Sequence, residues 1–312
     1  MLIVSGSHVP GVDPADFGLR AGTALRYEIP APALVPFVAD YHVLDSALPA
    51  EHAAGEWMLP NSPAVRFSLA DHAMALSLGN GEPKPLPRAA FYGTTSHAAK
   101  MLHGGGGVTI GFNLTAVGFA RMFRADAARL RDSVVPLEQL VDPRWVEGVV
   151  KELRESDRGP SVKAILDRAL PALLTEPHPL EADIAQIANL LHRPGVASLP
   201  EEAAAIGMSP RQLARLSNRF FGYPPKLLLR RARFLRSLIA LKLSGSPFDL
   251  SLIDPAYHDQ PHFIRDAHRF LGMTPARFLN IATPYLDAVL RARAIVHGAA
   301  IAALDPPGPR PG

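Results

Sequence analysis

The sequence predicts an α+β protein with a small N-terminal β-barrel or β-sandwich, attached helices, and a C-terminal all-α domain containing two helix-turn-helix units. Three observations support this fold class. Short alternating apolar segments occupy the first 130 residues or so, helical periodicity begins near Ala116, and one helical pattern recurs at an offset of fifty residues. We expect a β-rich sensor or dimerisation domain with a helical extension over 1–175, the double helix-turn-helix domain over 176–290, and a tail over 291–312.

Length and composition fit a protein that can bury two cores. The chain has 312 residues, 48% of them hydrophobic and 20% charged. It contains no cysteine, which excludes disulfides, thiolate metal sites and a cysteine nucleophile. No apolar run approaches the length needed to cross a bilayer, so we expect a cytoplasmic protein with no membrane partner.

The N-terminal strands are predicted from short segments bounded by turn residues. Residues 64–69, 73–78 and 108–114 are apolar or alternating. The proline-rich stretch 79–87 cannot be helical and should form an exposed loop. Four consecutive glycines, 104–107, are expected at a mobile hairpin tip.

Helical spacing replaces these strand signals from about 116 to 174. We expect these helices to link the sheet to the C-terminal domain, and dimerisation through them is an open alternative. Prolines precede another helix over 180–191, which should open the C-terminal domain. The proline- and glycine-rich end, 305–312, has nothing to bury and is predicted to be disordered.

The two repeat units align when Gly222 is placed on Gly272. Leu213 then falls on Phe263, and Arg215 falls on Arg265. Ser209 is a good N-cap for the second helix of the first unit, and Asp259 can cap the corresponding helix of the second unit.

Both predicted second helices carry basic and amide side chains on the face opposite the apolar residues. Arginine can pair with guanine, and asparagine or glutamine with adenine, in the major groove of DNA. The candidate DNA-binding residues are Ser209, Arg211, Gln212, Arg215, Asn218, Arg219, Lys226, Arg230, His262, Arg265, His268 and Arg269. The alternative is a solvated surface or a phosphate-binding patch, and the repeat favours base readout.

The charge distribution also favours a polyanionic partner for the C-terminal domain. Residues 198–280 carry 12 Lys and Arg against 6 Asp and Glu, whereas the rest of the chain carries 20 against 23. Between the units, a helix over 225–243 would span about 27 Å and could hold two units about one DNA turn apart. Its apolar face should pack against both units, and its arginines are expected to contact phosphate or solvent.

The C-terminal segment resembles the DNA-binding domain of the AraC/XylS family of transcription regulators. The matching residues are Ala203, the run 207–213, Arg215, Gly222 and Pro225 in the first half, Arg233 in the linker helix, and 262–265 with 272–275 in the second half. Segments 34–38, 59–60, 92–93, 110–112 and 135–138 resemble a sensor-like N-terminal domain found on some members.

This resemblance implies double-stranded DNA as partner, activation through RNA polymerase, and a small-molecule effector bound in the N-terminal domain. A homodimer is a further option, and no cofactor is implied. Ser217 and Ala267 stand where the family has aromatic residues, and Phe220 and Phe270 are candidates to fill that space. Pro255 should shorten the first helix of the second unit. We therefore expect the first unit to supply most of the sequence discrimination.

The N-terminal half offers no catalytic or metal-binding pattern. Its histidines are scattered, the glycine run lacks the context of a nucleotide loop, and no nucleophile elbow is present, so we expect no enzyme. Five aromatic residues could line an apolar pocket or simply form core: Trp57, Phe67, Phe91, Tyr92 and Phe112. The alternatives are a small-molecule enzyme with a helical tether, or a protein-interaction module with a degenerate helix-turn-helix domain.

Overall fold

The computed structural model describes residues 2–47, 56–196, 198–245, 249–257 and 259–298, except the side chains of His103 and Leu250. Within these ranges an N-terminal strand-rich part is followed by a helical part, as the sequence predicts. The end of the chain predicted to be disordered lies outside the described residues. None of the described helices is long and apolar enough to span a membrane.

Two antiparallel sheets form the N-terminal part. The strands are β1 (Thr23–Glu28), β2 (Val38–Ser46), β3 (Glu56–Met58), β4 (Ala64–Ser68), β5 (Met74–Leu78), β6 (Lys84–Pro85), β7 (Ala89–Tyr92), β8 (Ala99–His103), β9 (Gly107–Leu114) and β10 (Val134–Pro136). One sheet has the order β1-β2-β9-β4-β7-β10 and the other the order β3-β8-β5-β6. Of the barrel and the sandwich that the sequence left open, the structure has two separate sheets.

Side-chain alternation along β4 gives its sheet two different faces. Val65 lies opposite Phe112 of β9 and Phe91 of β7, and all three are buried in one apolar core. Arg66, the next residue, points to the other face because successive strand residues alternate. The sheet therefore has an apolar face and a face where charged groups are placed.

Helices cover the apolar face of the large sheet. They are α1 (Ala116–Met122), α2 (Ala127–Leu130), α3 (Pro143–Glu155) and α4 (Val162–Ala169). α3 and α4 pack directly on this core through residues such as Leu153 and Leu166. The expectation that the whole region links the two domains is therefore wrong for α3 and α4. Their apolar positions complete the sheet core, while α1 and α2 contact the C-terminal helices.

The glycine run does not form a hairpin tip. It joins β8 of the small sheet to β9 of the large sheet, so it is a crossover between sheets. Gly107 has φ +152°, and a Cβ there would lie 2.5 Å from the Cβ of Ala70. The glycine is required by this close approach and by the positive φ. The predicted loop 79–87 is largely exposed and contains only the short strand β6.

The C-terminal helices begin with α5 (Glu181–His192) and continue as α6 (Leu199–Ala205), α7 (Pro210–Phe221), α8 (Pro225–Ser244), α9 (Gln260–Leu271), α10 (Pro275–Leu279) and α11 (Pro284–His297). α8 is the central helix. Leu228 belongs to a core shared with α5, α6 and α7, whereas Phe234 and Leu238 belong to a core shared with α9 and α10. The prediction that this helix packs against both units is confirmed.

The last helix returns to the N-terminal sheet. Ala288, Ala292 and Val296 of α11 pack against Leu25 and Tyr27 of β1. The predicted boundary between residues 290 and 291 falls within this helix. α11 therefore connects the C-terminal helices to the outer strand of the large sheet.

Candidate nucleic-acid interface

The first unit consists of α6 and α7 joined by a tight turn. Ser209 has extended backbone dihedrals, and its Oγ accepts a hydrogen bond from Gln212 N at 3.2 Å, which caps the start of α7. Gly222 ends the helix with φ +85°, and its N–H donates to the carbonyl of Asn218. α7 therefore has fixed ends, as a helix that enters a groove requires.

The two faces of α7 differ as predicted from its periodicity. Leu213, Leu216 and Phe220 are buried, whereas Arg211, Arg215 and Arg219 are exposed. Gln212 and Asn218 are half-buried. The Asn218 side chain donates to the carbonyl of Ala214 at 2.8 Å, and the Arg219 guanidinium lies over the Phe220 ring. Three arginines thus share the solvent side of this helix, and their contact with bases stays a prediction.

Ser217 occupies the position where the sequence lacks an aromatic residue. It is fully buried, and its Oγ donates a 2.8 Å hydrogen bond to the carbonyl of Tyr223. Phe220, 2% exposed, supplies the apolar volume one turn later. Ala267 is likewise buried in the second unit, with Phe270 at 0% exposure beside it.

The second unit has a reduced first helix. Leu250–Leu252 forms a 3-10 turn before Pro255, which cannot donate a helical hydrogen bond. α9 follows with Asp259 as its N-cap, and Asp259 Oδ1 accepts from His262 N at 2.7 Å. α9 is therefore intact although the helix that precedes it is shortened. We call α7 and α9, the second helices of the two units, the recognition helices.

The exposed face of α9 carries Arg265, His268 and Arg269. His262 is only half-exposed, and its Nε2 lies 3.3 Å from the Arg233 guanidinium. Burial lowers the pKa of His262 below its usual value, and the charge of Arg233 lowers it further. His262 is therefore neutral near pH 7 and can offer a hydrogen bond rather than a charge.

A buried carboxylate that the sequence did not single out anchors α9 to α8. Asp266 is fully buried, forms an ion pair with Arg230, and accepts a 2.9 Å hydrogen bond from the Tyr257 hydroxyl. Arg233 lies 3.8 Å from Oδ2, the oxygen that accepts from Tyr257, and 4.4 Å over the Tyr257 ring. Arg230, a predicted DNA-binding residue, is therefore already held by this network. The sequence signal that could have revealed this network is an acidic residue, Asp266, among the apolar positions of α9.

One linker arginine that was expected to meet phosphate or solvent is buried instead, and the side chain of Lys242 is buried as well. Arg231 is 2% exposed and donates to the carbonyls of Asn61 and Thr95, because its position on α8 faces the N-terminal domain. The Lys242 ammonium pairs with Asp287 of α11 at 3.0 Å. Both cations hold α8 in place.

A basic groove lies between the two units along α8. Its charged lining is formed by Arg193, Lys226, Arg230, Arg233, Arg236, Asp254 and Arg265. Arg236 is paired with Asp254 at 3.0 Å, whereas Lys226 and Arg265 are exposed. The groove thus brings together predicted residues from the linker and the second unit. Arg193 was missed because it lies just after α5, outside the repeat.

Comparison with known proteins identifies the type of domain that this region forms. A family model described as a helix-turn-helix domain matches residues 203–281, which include α7, α8 and α9. The chain carries an AraC-type helix-turn-helix domain. No curated protein matches the sequence.

The chain is also similar to solved structures at low identity. ToxT from Vibrio cholerae is 11% identical, with 77% of this chain and 97% of ToxT covered at a TM-score of 0.42. A structure of ToxT with a bound unsaturated fatty acid is 9% identical, with 85% and 97% covered at 0.42. The AraC-like transcriptional activator CuxR is 12% identical, with 69% and 86% covered at 0.24. These scores are too low to assign a ligand to this chain.

The N-terminal part contacts the helix-turn-helix domain beside both recognition helices. The Tyr223 hydroxyl, just after α7, donates to Asp132, whose carboxylate also accepts from the Ser96 N–H at 2.7 Å. Beside α9, the N–H of Ala98 donates to the carbonyl of Phe270 at 2.6 Å. Each recognition helix is therefore fixed at its C-terminal end.

The five aromatic residues considered for an apolar pocket divide between two environments. Phe67, Phe91 and Phe112 belong to the helix-covered core of the large sheet. Trp57 lines a cavity between the two sheets and α11, and Tyr92 lies against Arg66 near its edge. The described residues contain no group of three or more metal-ligating side chains placed to hold an ion.

Proposed function

We propose that this chain is a sequence-specific DNA-binding transcription regulator whose activity is controlled by a small effector bound in the N-terminal domain. The observation that carries the proposal is the pair of capped helices, α7 and α9, fixed to one central helix with arginines on their solvent sides. Residue types that read base edges are thereby presented from a rigid frame.

Charge distribution supports DNA as the partner. Lys226 and Arg265 are exposed at the basic groove, and Arg211 and Arg215 are exposed on α7. Several such cations would neutralise phosphates and release counterions, so the affinity should fall steeply with salt. About six phosphate contacts would weaken binding roughly a thousandfold between 50 and 200 mM salt.

Activation through RNA polymerase, work in the cytoplasm at the nucleoid, and a homodimer belong to the same proposal. They rest on the helix-turn-helix domain and on the expectations from the sequence. We further propose that Arg211 and Arg215 contribute most of the base discrimination, because the first unit keeps both of its helices while the second has only a 3-10 turn before Pro255.

The experiment is selection of bound sequences from random duplex DNA by the full chain, followed by fluorescence anisotropy with the selected duplex. We expect a bipartite site with half-sites about one turn apart. Arg211→Ala and Arg215→Ala should each cost about 1–3 kcal/mol of discrimination against a mismatched base. Arg144→Ala is the matched control, since this exposed arginine lies on α3 and pairs with Asp142.

Two results would contradict the proposal. Binding without salt dependence would point to a protein-interaction module instead of a DNA reader. A larger loss of base preference in Arg265→Ala than in Arg211→Ala or Arg215→Ala would reverse the assignment of the two units.

A further inference from the structure

A cavity of about 160 Å³ lies where the two sheets meet α11. Leu25 and Leu44 contribute from the large sheet, Trp57 and Met74 from the small sheet, and Leu286 and Val289 from α11. An engineered cavity of about 150 Å³ lined by apolar side chains holds a benzene molecule, so this space suits one ring or a short alkyl chain.

Two arginines also line this apolar space. Arg66 comes from the inner face of β4, and Arg293 comes from α11. Arg293 is 3% exposed, and the Nε atoms of both side chains are buried without a hydrogen-bond partner. Among the described residues, no carboxylate forms an ion pair with either guanidinium within 4.0 Å. Two cations therefore line one cavity, and the Nε–H donor of each has no hydrogen-bond acceptor within the described part of the chain.

Both guanidiniums act on the same small region of the cavity. Each lowers the pKa of His42, whose burial is the largest cause of the shift. Arg293 additionally interacts with the Tyr27 hydroxyl, and Arg66 lies 4.8 Å over the Tyr92 ring. Both side chains also line the same cavity, so an anionic group bound there would lie in the field of both arginines.

The buried acid Asp40 does not satisfy these donors. Asp40 accepts hydrogen bonds from the Asn113 amide at 2.8 and 3.0 Å, and its Oδ1 lies 3.2 Å from His42 Nδ1. Burial alone would raise the pKa of Asp40, but the hydrogen bond with His42 and the charge of Arg293 hold it below its usual value. Asp40 is therefore ionised but already engaged by its neighbours.

Glu56 is the acidic residue among those that line the cavity. Burial raises its pKa to about 7, against the opposing charge of Arg20. A carboxyl group that is half-protonated near neutral pH does not cancel two permanent guanidinium charges. The cavity thus keeps a net preference for an anion.

We propose that this cavity binds a small apolar monocarboxylate, whose carboxylate pairs with Arg66 and Arg293 while its ring or alkyl chain lies against Trp57 and Leu286. Charge-assisted pairing supplies orientation, and the largely apolar walls strengthen it. The inference rests on the proposed function, since this ligand would be the effector of the DNA-binding regulator.

The position of the cavity explains how binding of such a ligand would affect the DNA-binding helices. Arg293 belongs to α11, which begins at Pro284, five residues after α10 ends at Leu279. Trp57 contacts Phe278 of α10 edge to face, with ring centroids 5.8 Å apart. A ligand held between Arg66 and Arg293 therefore joins the sheet to the end of the helix-turn-helix domain and stabilises their docking.

The test uses the purified full chain with benzoate and hexanoate as probes and benzamide and hexanamide as neutral counterparts. We expect both carboxylates, and neither amide, to raise the melting temperature and to change the tryptophan fluorescence, through the contribution of Trp57. Isothermal titration should show affinity reduced about tenfold to a hundredfold in Arg293→Met and in Arg66→Met, as expected for losing a hydrogen bond to a charged group. Arg291→Met is the control, because Arg291 is exposed on the same helix.

The outcomes separate this proposal from the proposed function. Equal binding of amides and carboxylates, no carboxylate binding at about 10 mM, or unchanged affinity in both Met variants would overturn the ligand class. If Arg293→Met does not fold, Arg293→Lys and Arg66→Met apply the same criterion. Salt-dependent DNA binding without any carboxylate effect on DNA affinity would refute the effector role alone. Carboxylate binding by a chain that binds no DNA would refute the proposed function alone.

Discussion

Replacing Asp266 by alanine should destabilise the second helix-turn-helix unit by about 2–4 kcal/mol. The fully buried carboxylate is paired with Arg230 and accepts a hydrogen bond from Tyr257, with Arg233 at 3.8 Å. Breaking a buried ion pair from one side costs about 3–5 kcal/mol because the remaining charge stays desolvated. The Arg230 and Arg233 side chains are 35% and 18% exposed, so water recovers part of this cost.

The assay is urea unfolding of the full chain at 25 °C, followed by circular dichroism and by the tryptophan fluorescence, to which Trp57 and Trp145 both contribute. Trp57 reports on this region because its ring packs against Phe278 in the same apolar core as Phe263 and Phe270. Tyr257→Phe removes only the hydroxyl donor and should cost about 1–2 kcal/mol. Glu201→Gln is the control, since this acidic residue is exposed on α6.

The double variant distinguishes a shared network from separate contacts. If Asp266 is the common acceptor, Tyr257→Phe should add little once Asp266 is alanine, giving a coupling energy on the order of 1 kcal/mol. A free energy of unfolding for Asp266→Ala within about 0.5 kcal/mol of the native protein would refute the reasoning, because the guanidiniums would then not depend on this carboxylate.

Three further changes test the cap, the cavity and the crossover. Ser209→Ala should lower the stability of the first unit by about 1 kcal/mol through loss of the bond to Gln212 N, and an unchanged melting temperature would count against this cap. The Glu56→Gln variant should be more stable than the native protein, and the difference should grow to the order of 1 kcal/mol as pH rises from 5 to 8, after allowance for solvent screening. A raised folded pKa of about 7 means that native stability falls as pH rises from about 4.5 to 7, so a pH-independent difference in denaturation midpoint would contradict it. Gly107→Ala should cost more than about 1 kcal/mol, because its φ is +152° and the new Cβ would crowd Ala70; a thermal melt like that of the native protein would disprove this.

Local patterns in the sequence predict the repeated features of this fold well. The segments 64–69, 73–78 and 108–114 correspond to β4, β5 and β9, because each alternates between a core and a second face. The caps Ser209 and Asp259 could be predicted because an N-cap depends only on nearby residues. β1 is buried along its whole length, and a strand without alternation gives little periodic signal.

The features that the sequence could not predict depend on contacts between residues far apart in the chain. Arg231 looks like any other linker arginine, yet its donors reach carbonyls more than 130 residues away in the chain. Asp266 and Arg230 are 36 residues apart and meet only because α8 and α9 pack together. The cavity requires β4 and α11 to face one another, and Arg66 and Arg293 are separated by most of the chain.

The bond between Ala98 and Phe270, together with the carboxylate of Asp132 beside Tyr223, has a consequence for operator architecture. Both recognition helices are held at their C-terminal ends by the N-terminal part, which leaves them little freedom to follow a duplex whose half-sites are moved apart. Inserting one base pair between the half-sites turns the second one by about 35° and shifts it by about 3.4 Å along the axis. Such an operator would forfeit the contacts of one unit, and cutting the anchor at Ala98 would be a route to tolerance of the longer spacing.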